Sequence, residues 1–424
     1  MKVTSALLAP FIAGASATIY YAGVAESGGE FGAYGTPGTG IPGTFGRDYQ
    51  FISEAGIDTH VDQNQLNLFR IAFLLERMCP PATGLGATFD EAHYNQYKQA
   101  VDYVTVTKGA YAILDPHNYM RYNDPSSQPY SGSVIGNTSD TKAATTAQFG
   151  EFWGELAKRF KDNEKVIFGL MNEPHDMTSK LVLENNQAAI TAIRATGAKN
   201  LIIMPGNSWS GGHAWTEGSD PSSAIMNQFQ DPLNNTAIDI HEYLDIDYSG
   251  SHTQCANDAA THLTELTKWL KHFSSSVVLD IATSDFTLQP HSATLATPIP
   301  TQPSQQIANL QTQTHNLKAF ITEFGGANNT GCATMLKDMV NYMSDNNEYI
   351  GWTAWAAGPF WGPNSPCCSD STLLGSLEPG SKAGDGGPGL YDTVWLPVLQ
   401  PLVPKLLQWS GLATVDGGEL STKS

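Results

Sequence analysis

The sequence predicts one closed α/β domain, a (β/α)8 barrel of the TIM type with long loops after its strands. Three observations predict it. Eight short apolar, β-branched segments alternate with longer amphipathic stretches along nearly the whole chain. The 424 residues would fill two or three average domains, but barrels of this kind reach that length as one. Unusual polar residues also recur where the apolar segments end, the place where barrel enzymes build their sites.

In chain order, strands are expected at 20–25, 67–73, 110–115, 166–171, 201–205, 237–241, 319–324 and 350–355. Between them, residues 90–107, 145–161, 184–196, 258–272 and 332–344 carry apolar positions at helical spacing, and their Lys and Glu pairs read as solvated faces. Strand followed by helix, repeated to the end, favours a closed parallel barrel over an open sheet. Strands six and seven stand about twice the usual repeat apart. Residues 274–314 account for the excess: they hold no Lys or Arg, contain Pro290, Pro298, Pro300 and Pro303, and are rich in Thr, Gln and Ser. Such a stretch buries little and is expected to be a flexible surface insertion, although a translated intron would have the same composition.

The first 17 residues read as an export signal. Lys2 is followed by a brief apolar run over 6–15 and by the small-residue site Ala15-Ser16-Ala17. The run is too short to span a bilayer, and no other stretch reaches about 20 apolar residues. Sequons at Asn137, Asn234 and Asn328 fit a secretory route. The expected organisation is therefore a signal at 1–17, a catalytic domain at 18–411 and a short polar tail at 412–424, in a secreted, extracellular protein.

Composition narrows the partners. With 41 Asp and Glu against 22 Lys and Arg, a net charge of −19 and no basic patch, nucleic acid and anionic membranes are excluded as main partners. The 9 Trp, 16 Tyr and 17 Phe suit a protein that stacks flat, neutral ligands, although most will be core. Five cysteines, Cys79, Cys255, Cys332, Cys367 and Cys368, allow one or two bridges with a thiol left over. No paired CxxC or HExxH pattern occurs, and His241-Glu242 lacks a second His one turn later, so neither a metal nor another cofactor is expected. Nothing indicates oligomerisation, and a monomer is the expectation.

The strand-end residues suit one chemistry. Arg70, His117, Asn172, Glu173, His241, Tyr243, Glu323 and Trp355 each sit at or just past the end of a strand segment. Any one of them alone has a structural explanation, as an ion pair, a satisfied histidine or a core tryptophan; together they point to a site. Two glutamates on different strand ends suit glycoside hydrolysis with one protonated and one ionised carboxyl group. Glu173 would be the acid/base, its pKa raised by partial burial and a neighbouring charge. Glu323 would be the nucleophile, kept ionised by Arg70. Asn172 would bind a sugar 2-hydroxyl, Tyr243 would orient Glu323, and Trp355 would form the floor under the reacting sugar.

The segments LNLFRIAFLLERM (66–78), AYAILDPHNYMRYN (110–123), KVIFGLMNEPHDM (165–177), GNSWSGGHAW (206–215), IHEYLDIDYSGSH (240–252), ITEFGGANN (321–329) and GWTAWAAGPFW (351–361) together resemble fungal endo-β-1,4-glucanases of glycoside hydrolase family 5. The resemblance spans about 18–410 apart from 274–314, with the motifs in family order. It implies the same barrel, retaining hydrolysis, secretion and a β-glucan polysaccharide substrate. It places the acid/base on Glu173 and the nucleophile on Glu323, with Arg70, His117, Asn172, His241 and Tyr243 as supporting residues. The sugar-stacking tryptophan falls on Trp355 and a further platform on Trp209. It also implies a Cys255–Cys332 disulfide, worth ~4 kcal/mol on a chain-entropy estimate. One departure is the long stretch after Gly362, where Cys367 and Cys368 would pair with each other or with Cys79. With no cellulose-binding module visible, soluble or amorphous glucan is the expected form of substrate. A β-mannanase or mixed-linkage β-glucanase would use the same barrel and carboxylates. An inactive glycan-binding protein would be expected to lack one glutamate.

Overall fold

The structure, a computed structural model, describes residues 19–32, 41–123, 132–274, 317–361, 376–383, 386–403 and 411–416. The expected export signal, all but the first residue of the expected insertion, and Cys367 and Cys368 lie outside the described residues.

The strands are β1 (Tyr21–Glu26), β2 (Leu68–Phe73), β3 (Tyr111–Pro116), β4 (Arg121–Tyr122), β5 (Ser133–Val134), β6 (Val166–Gly169), β7 (Ile202–Pro205), β8 (Thr236–Tyr243), β9 (Ala319–Gly325) and β10 (Tyr349–Ala357). All except β4 and β5 close into one parallel barrel in the order β1-β10-β9-β8-β7-β6-β3-β2. These eight match the expected strands to within a few residues. The pair β4 and β5 is an antiparallel ribbon too short to leave a periodic signal in sequence.

The helices are α1 (Glu54–Asp62), α2 (Leu75–Met78), α3 (Glu91–Asp102), α4 (Thr146–Phe160), α5 (Ser179–Ala195), α6 (Ala259–Ser274) and α7 (Thr330–Ser344). Helix α4 shows why they form. Thr145 and Gln148 make a reciprocal capping box, and Phe149, Phe152, Trp153, Leu156 and Phe160 form one buried face. Helix α5 starts five residues before the expected 184, because the Thr178 side chain caps the Leu181 amide. The expected helix at 90–107 is helical only to Asp102 and ends in a π-helical turn, Tyr103–Thr107.

Strand residues alternate between two cores, as a period of two requires. Phe69, Ile71 and Phe73 of β2 belong to the outer core, with α4's apolar face. Leu68, Tyr111, Ile113, Ile167, Ile203 and Phe320 fill the lower barrel interior. That interior is closed from below by residues 411–416. The Tyr21 hydroxyl donates to the Thr414 carbonyl at 3.2 Å, and the Thr414 amide donates back at 3.1 Å. Ala413 and Val415 join the buried cluster. Residues 413–415, which fall in the stretch expected to be a polar tail, are thus buried against the barrel.

One irregularity shapes the upper barrel. Between β8 and β9 the register steps from Ile240↔Ile321 to His241↔Glu323, so Thr322 is an extra residue on β9. Such a bulge re-aims side chains locally. Past the strand ends, Cys255 and Cys332 form a disulfide that ties the loop after β8 to α7. Cys79 is buried and unbridged, its thiol donating to the Gly86 carbonyl. Among the described residues no helix is long and apolar enough to cross a membrane.

Candidate active site

The upper end of the barrel brings the strand-end residues together. Arg70, on β2 and 2% exposed, is the centre. Its Nη1 donates to Glu323 Oε1 at 2.5 Å, and its Nη2 donates to Asn172 Oδ1 at 2.7 Å and pairs with Asp115 Oδ1 at 3.0 Å. The other oxygen of Glu323 accepts from the Tyr243 hydroxyl at 2.9 Å and lies 3.6 Å from His241 Nδ1. That ring nitrogen is 2.7 Å from Glu173 Oε1. One carboxylate oxygen of Glu173 and one of Glu323 lie within 4.8 Å of each other.

These surroundings push the two glutamates apart. Burial raises Glu173 above the ordinary carboxylate range, and the Glu323 charge adds to this against the lowering hydrogen bond to His241. Burial would also raise Glu323, but the charges of His241, Arg70 and His117 outweigh it and hold Glu323 below that range. Two carboxyl groups with opposed proton affinities are the arrangement that acid/base and nucleophile roles require. His241 would be lowered by burial, yet the Glu323, Glu173 and Asp239 charges raise it to about 9. On the far side of Arg70, His117 Nδ1 pairs with Asp115 Oδ2 at 2.9 Å.

Asn172 is fully buried, and its amide nitrogen has no hydrogen-bond partner among the described residues. With Oδ1 held by Arg70, that nitrogen is a fixed donor waiting for an acceptor, since an unpaired buried amide is costly otherwise. Trp355 is half-buried and stacks on His117 with ring centroids 5.3 Å apart at 22°. It is braced edge-on by Trp361.

Trp209 lies farther out. It is 46% exposed and stacks on His175 at 4.5 Å and 7°. Ser208, Trp209 and Ser210 have φ of 54°, 58° and 56°, three consecutive non-glycine residues in the left-handed region, a conformation costing ~1–2 kcal/mol each. The turn is held by the Trp209 amide donating to the Pro174 carbonyl at 3.0 Å. Trp209, His175, Glu173, His241, Tyr243 and Tyr248 are among the residues lining one open cleft of about 610 Å³. All nine residues singled out in the sequence as catalytic or substrate-binding thus fall at one end of the barrel, seven around Arg70 and His241, with Trp355 and Trp209 as flanking platforms.

Sequence reasoning missed Asp115, Asp239 and Thr322 beneath the site and His175 under Trp209. The signal for the two aspartates was present: each stands two residues before a strand-end histidine, on the same strand face. Folding also gathers Asp245, Asp247 and His252, a trio without zinc-motif spacing. Glu173, His241 and Glu323 are likewise close enough to share an ion. Both nitrogens of His241 are already engaged, however, by Glu173 and Thr322, and Arg70 occupies the anionic side of Glu323.

Fold and site together define a (β/α)8 hydrolase with paired carboxylates. The family model for cellulase (glycosyl hydrolase family 5) matches residues 24–360. The chain belongs to that family, and it is a glycoside hydrolase. It is 67% identical over 427 residues, all of both chains, to Endoglucanase 1 of Robillarda sp. (strain Y-20). Among solved structures, XacCel5A in complex with cellopentaose aligns with a TM-score of 0.67 at 29% identity, covering 91% of this chain and 99% of that one. Cel5A (EG2) from Hypocrea jecorina (Trichoderma reesei) aligns with a TM-score of 0.64 at 25% identity, over 89% and 98%.

Proposed function

We propose that the protein is a secreted, monomeric, retaining endo-β-1,4-glucanase that cleaves internal bonds of cellulose and related β-glucans. The observation that carries this reading is the asymmetric environment of the two glutamates. Glu323 is bound by Arg70 and Tyr243, whereas Glu173 faces the cleft with its carboxyl held by one histidine. The similarity to named endoglucanases and to a cellopentaose complex supports the substrate.

In the first step a Glu323 oxygen attacks the anomeric carbon as the bond to the leaving sugar breaks, and Glu173 gives its proton to the departing oxygen. In the second, Glu173 takes a proton from water, whose oxygen displaces Glu323 from that carbon. Two carboxylate oxygens within 4.8 Å suit direct attack better than the wider gap that an intervening water needs. Asn172 Nδ2 donates to the 2-hydroxyl of the reacting sugar, Trp355 stacks beneath it, and Trp209 carries a sugar farther along the cleft. Secretion is supported by the leading apolar segment and by the exposed sequon at Asn234.

The test is reducing-end release on carboxymethylcellulose, galactomannan and mixed-linkage β-glucan, with Glu323→Gln alongside. Activity on the cellulose derivative that vanishes in the variant supports the reading. Activity confined to galactomannan keeps the mechanism and overturns the substrate. Folded wild type inactive on all three overturns the proposed β-1,4-glucanase activity.

A further inference from the structure

Beneath the cleft, Asp239, His241 and Tyr243 point inward from alternate positions of β8, and each meets the β9 bulge. The Thr322 hydroxyl donates to Asp239 Oδ1 and stands 3.0 Å from His241 Nε2. Tyr243 reaches Glu323, the residue next along. Asp239 is 4% exposed and Thr322 1%; neither lines the cleft.

The hydrogen count decides what this chain does. Burial raises Asp239, while the His241 and Arg70 charges and the Thr322 hydroxyl favour its ionised form; so ionised, the carboxylate only accepts, and a threonine hydroxyl has one hydrogen. Committed to Asp239, that hydrogen is unavailable to His241, so Oγ1 presents a lone pair and His241 Nε2 must carry a proton. A change of charge on the ring is then confined to Nδ1, which faces Glu173 Oε1 at 2.7 Å and Glu323 Oε2 at 3.6 Å. Between two carboxyl groups Nδ1 also holds its proton. Glu173 Oε1 therefore accepts a hydrogen bond, and the proton Glu173 can give away sits on Oε2.

We propose that Asp239 and Thr322 are positioning residues for proton transfer: through the threonine hydroxyl, the aspartate holds both nitrogens of His241 as donors and so keeps the transferable proton of Glu173 on Oε2. This rests on the reading of Glu173 as acid/base. His241 keeps both protons throughout; only the Oε2 proton moves, to the glycosidic oxygen as its bond to carbon breaks, and back from water in the second step. The device exists because the bulge makes two consecutive residues face inward, Thr322 for the histidine and Glu323 for the sugar. The Thr322 carbonyl, accepting from the Thr353 hydroxyl at 2.5 Å, pins the bulge in place.

The test compares aryl cellobiosides whose leaving groups do or do not need protonation. Thr322→Val removes the hydroxyl at nearly constant volume. It is expected to lower kcat/KM, which reports the first step alone, by about 10–100-fold for a poor leaving group, a large share of general-acid catalysis. For a 2,4-dinitrophenyl leaving group kcat/KM should change little, while kcat and KM fall together because the second step still needs Glu173 as base. The alkaline limb of the pH profile moves to lower pH, because the His241–Glu173 pair gives up a proton more readily. Thr322→Ser recovers most of the loss, and Asp239→Asn reproduces it. Equal losses of kcat/KM for both leaving groups, or a serine variant no better than valine, would mean a structural role and overturn the proposal. Should the valine variant not fold, ¹⁵N-histidine spectra of the wild type decide: an unprotonated Nε2 on His241 overturns it. Glu173→Ala is run alongside. If that variant shows no leaving-group selectivity, the acid/base reading itself fails; if it does and Thr322→Val does not, only the present proposal falls.

Discussion

Arg70 and Glu323 lie 253 residues apart in the chain and 2.5 Å apart in the fold, both nearly inaccessible to solvent. Asp115 shares the same guanidinium, so one cation serves two buried carboxylates. Burial works against the Arg70 charge, but Asp115, Glu323 and Asp239 raise its proton affinity instead. The pair is thus a device for keeping a buried carboxylate ionised, not a surplus of stability.

Replacing Arg70 by Met should strand both anions. The expected cost is ~3–5 kcal/mol of stability, the range for removing one partner of a buried pair, read as a fall in denaturation midpoint. In Arg70→Lys, which keeps the charge but not the forked donors, activity should fall at least ~100-fold, as for loss of an oriented electrostatic group. Its acid limb should move to higher pH, since Glu323 loses part of what depresses its pKa. An unmoved acid limb would count against Glu323 as the ionised nucleophile.

Wild-type activity should follow a bell in pH. Its acid limb lies below the ordinary carboxylate range, where Glu323 takes up a proton, and its alkaline limb lies above that range, where the pair formed by Glu173 and His241 loses one. Glu173→Gln should abolish the alkaline limb together with activity on poor leaving groups. A profile whose alkaline limb survives in Glu173→Gln would assign that limb elsewhere.

Trp209→Ala should raise KM for cellopentaose about tenfold, the loss of one aromatic stacking contact, while changing kcat on a short aryl cellobioside little. The strained turn under Trp209 predicts a second effect: Trp209→Gly should be more stable than Trp209→Ala, because glycine enters the left-handed region freely. Comparison of the two melting temperatures checks it.

A second carboxyl pair lies outside the site. The Ser53 amide donates to Glu26 Oε2 at 3.1 Å and its hydroxyl to Glu378 Oε1 at 2.6 Å. Burial pushes Glu378 up to about 7, and burial together with the Glu378 charge holds Glu26 well above the ordinary carboxylate range. A carboxyl group whose folded pKa is raised stabilises the fold below its unfolded value and loses that contribution as pH rises through the folded one. Stability should therefore fall by ~3 kcal/mol between pH 4.5 and 7 on account of Glu378 alone. Glu378→Gln should flatten that fall in chemical denaturation series; an unchanged slope would show that Glu378 is not the titrating group.

The barrel was legible in the sequence because each of its strands is short, apolar and followed by a polar signature, so that Arg70, His117, Glu173, His241 and Glu323 could be aligned as strand ends. Thr322 was not legible. In a regular strand it would face away from Glu323, and only the register step against β8 turns it inward. Asp239 was legible as an inward neighbour of His241, two residues along β8, but its link to that histidine runs through Thr322 and was not. The burial of Ala413 and Val415 escaped because a few apolar residues among polar ones carry no periodic signal. The Cys255–Cys332 bridge was accessible through family resemblance alone, for nothing in the spacing of five cysteines chooses a pairing.

That bridge makes the chain branched in its covalent connectivity. Residues 255 and 332, separated by 77 positions, are joined by two independent routes, backbone and sulfur. A single proteolytic cut anywhere between them, the Pro- and Thr-rich stretch included, leaves one molecule, with the strand bearing Glu323 still fastened to the strand bearing His241. Such nicked protein would migrate whole on a non-reducing gel and as two pieces after reduction, so a cut in that span need not cost the enzyme either of its carboxylates.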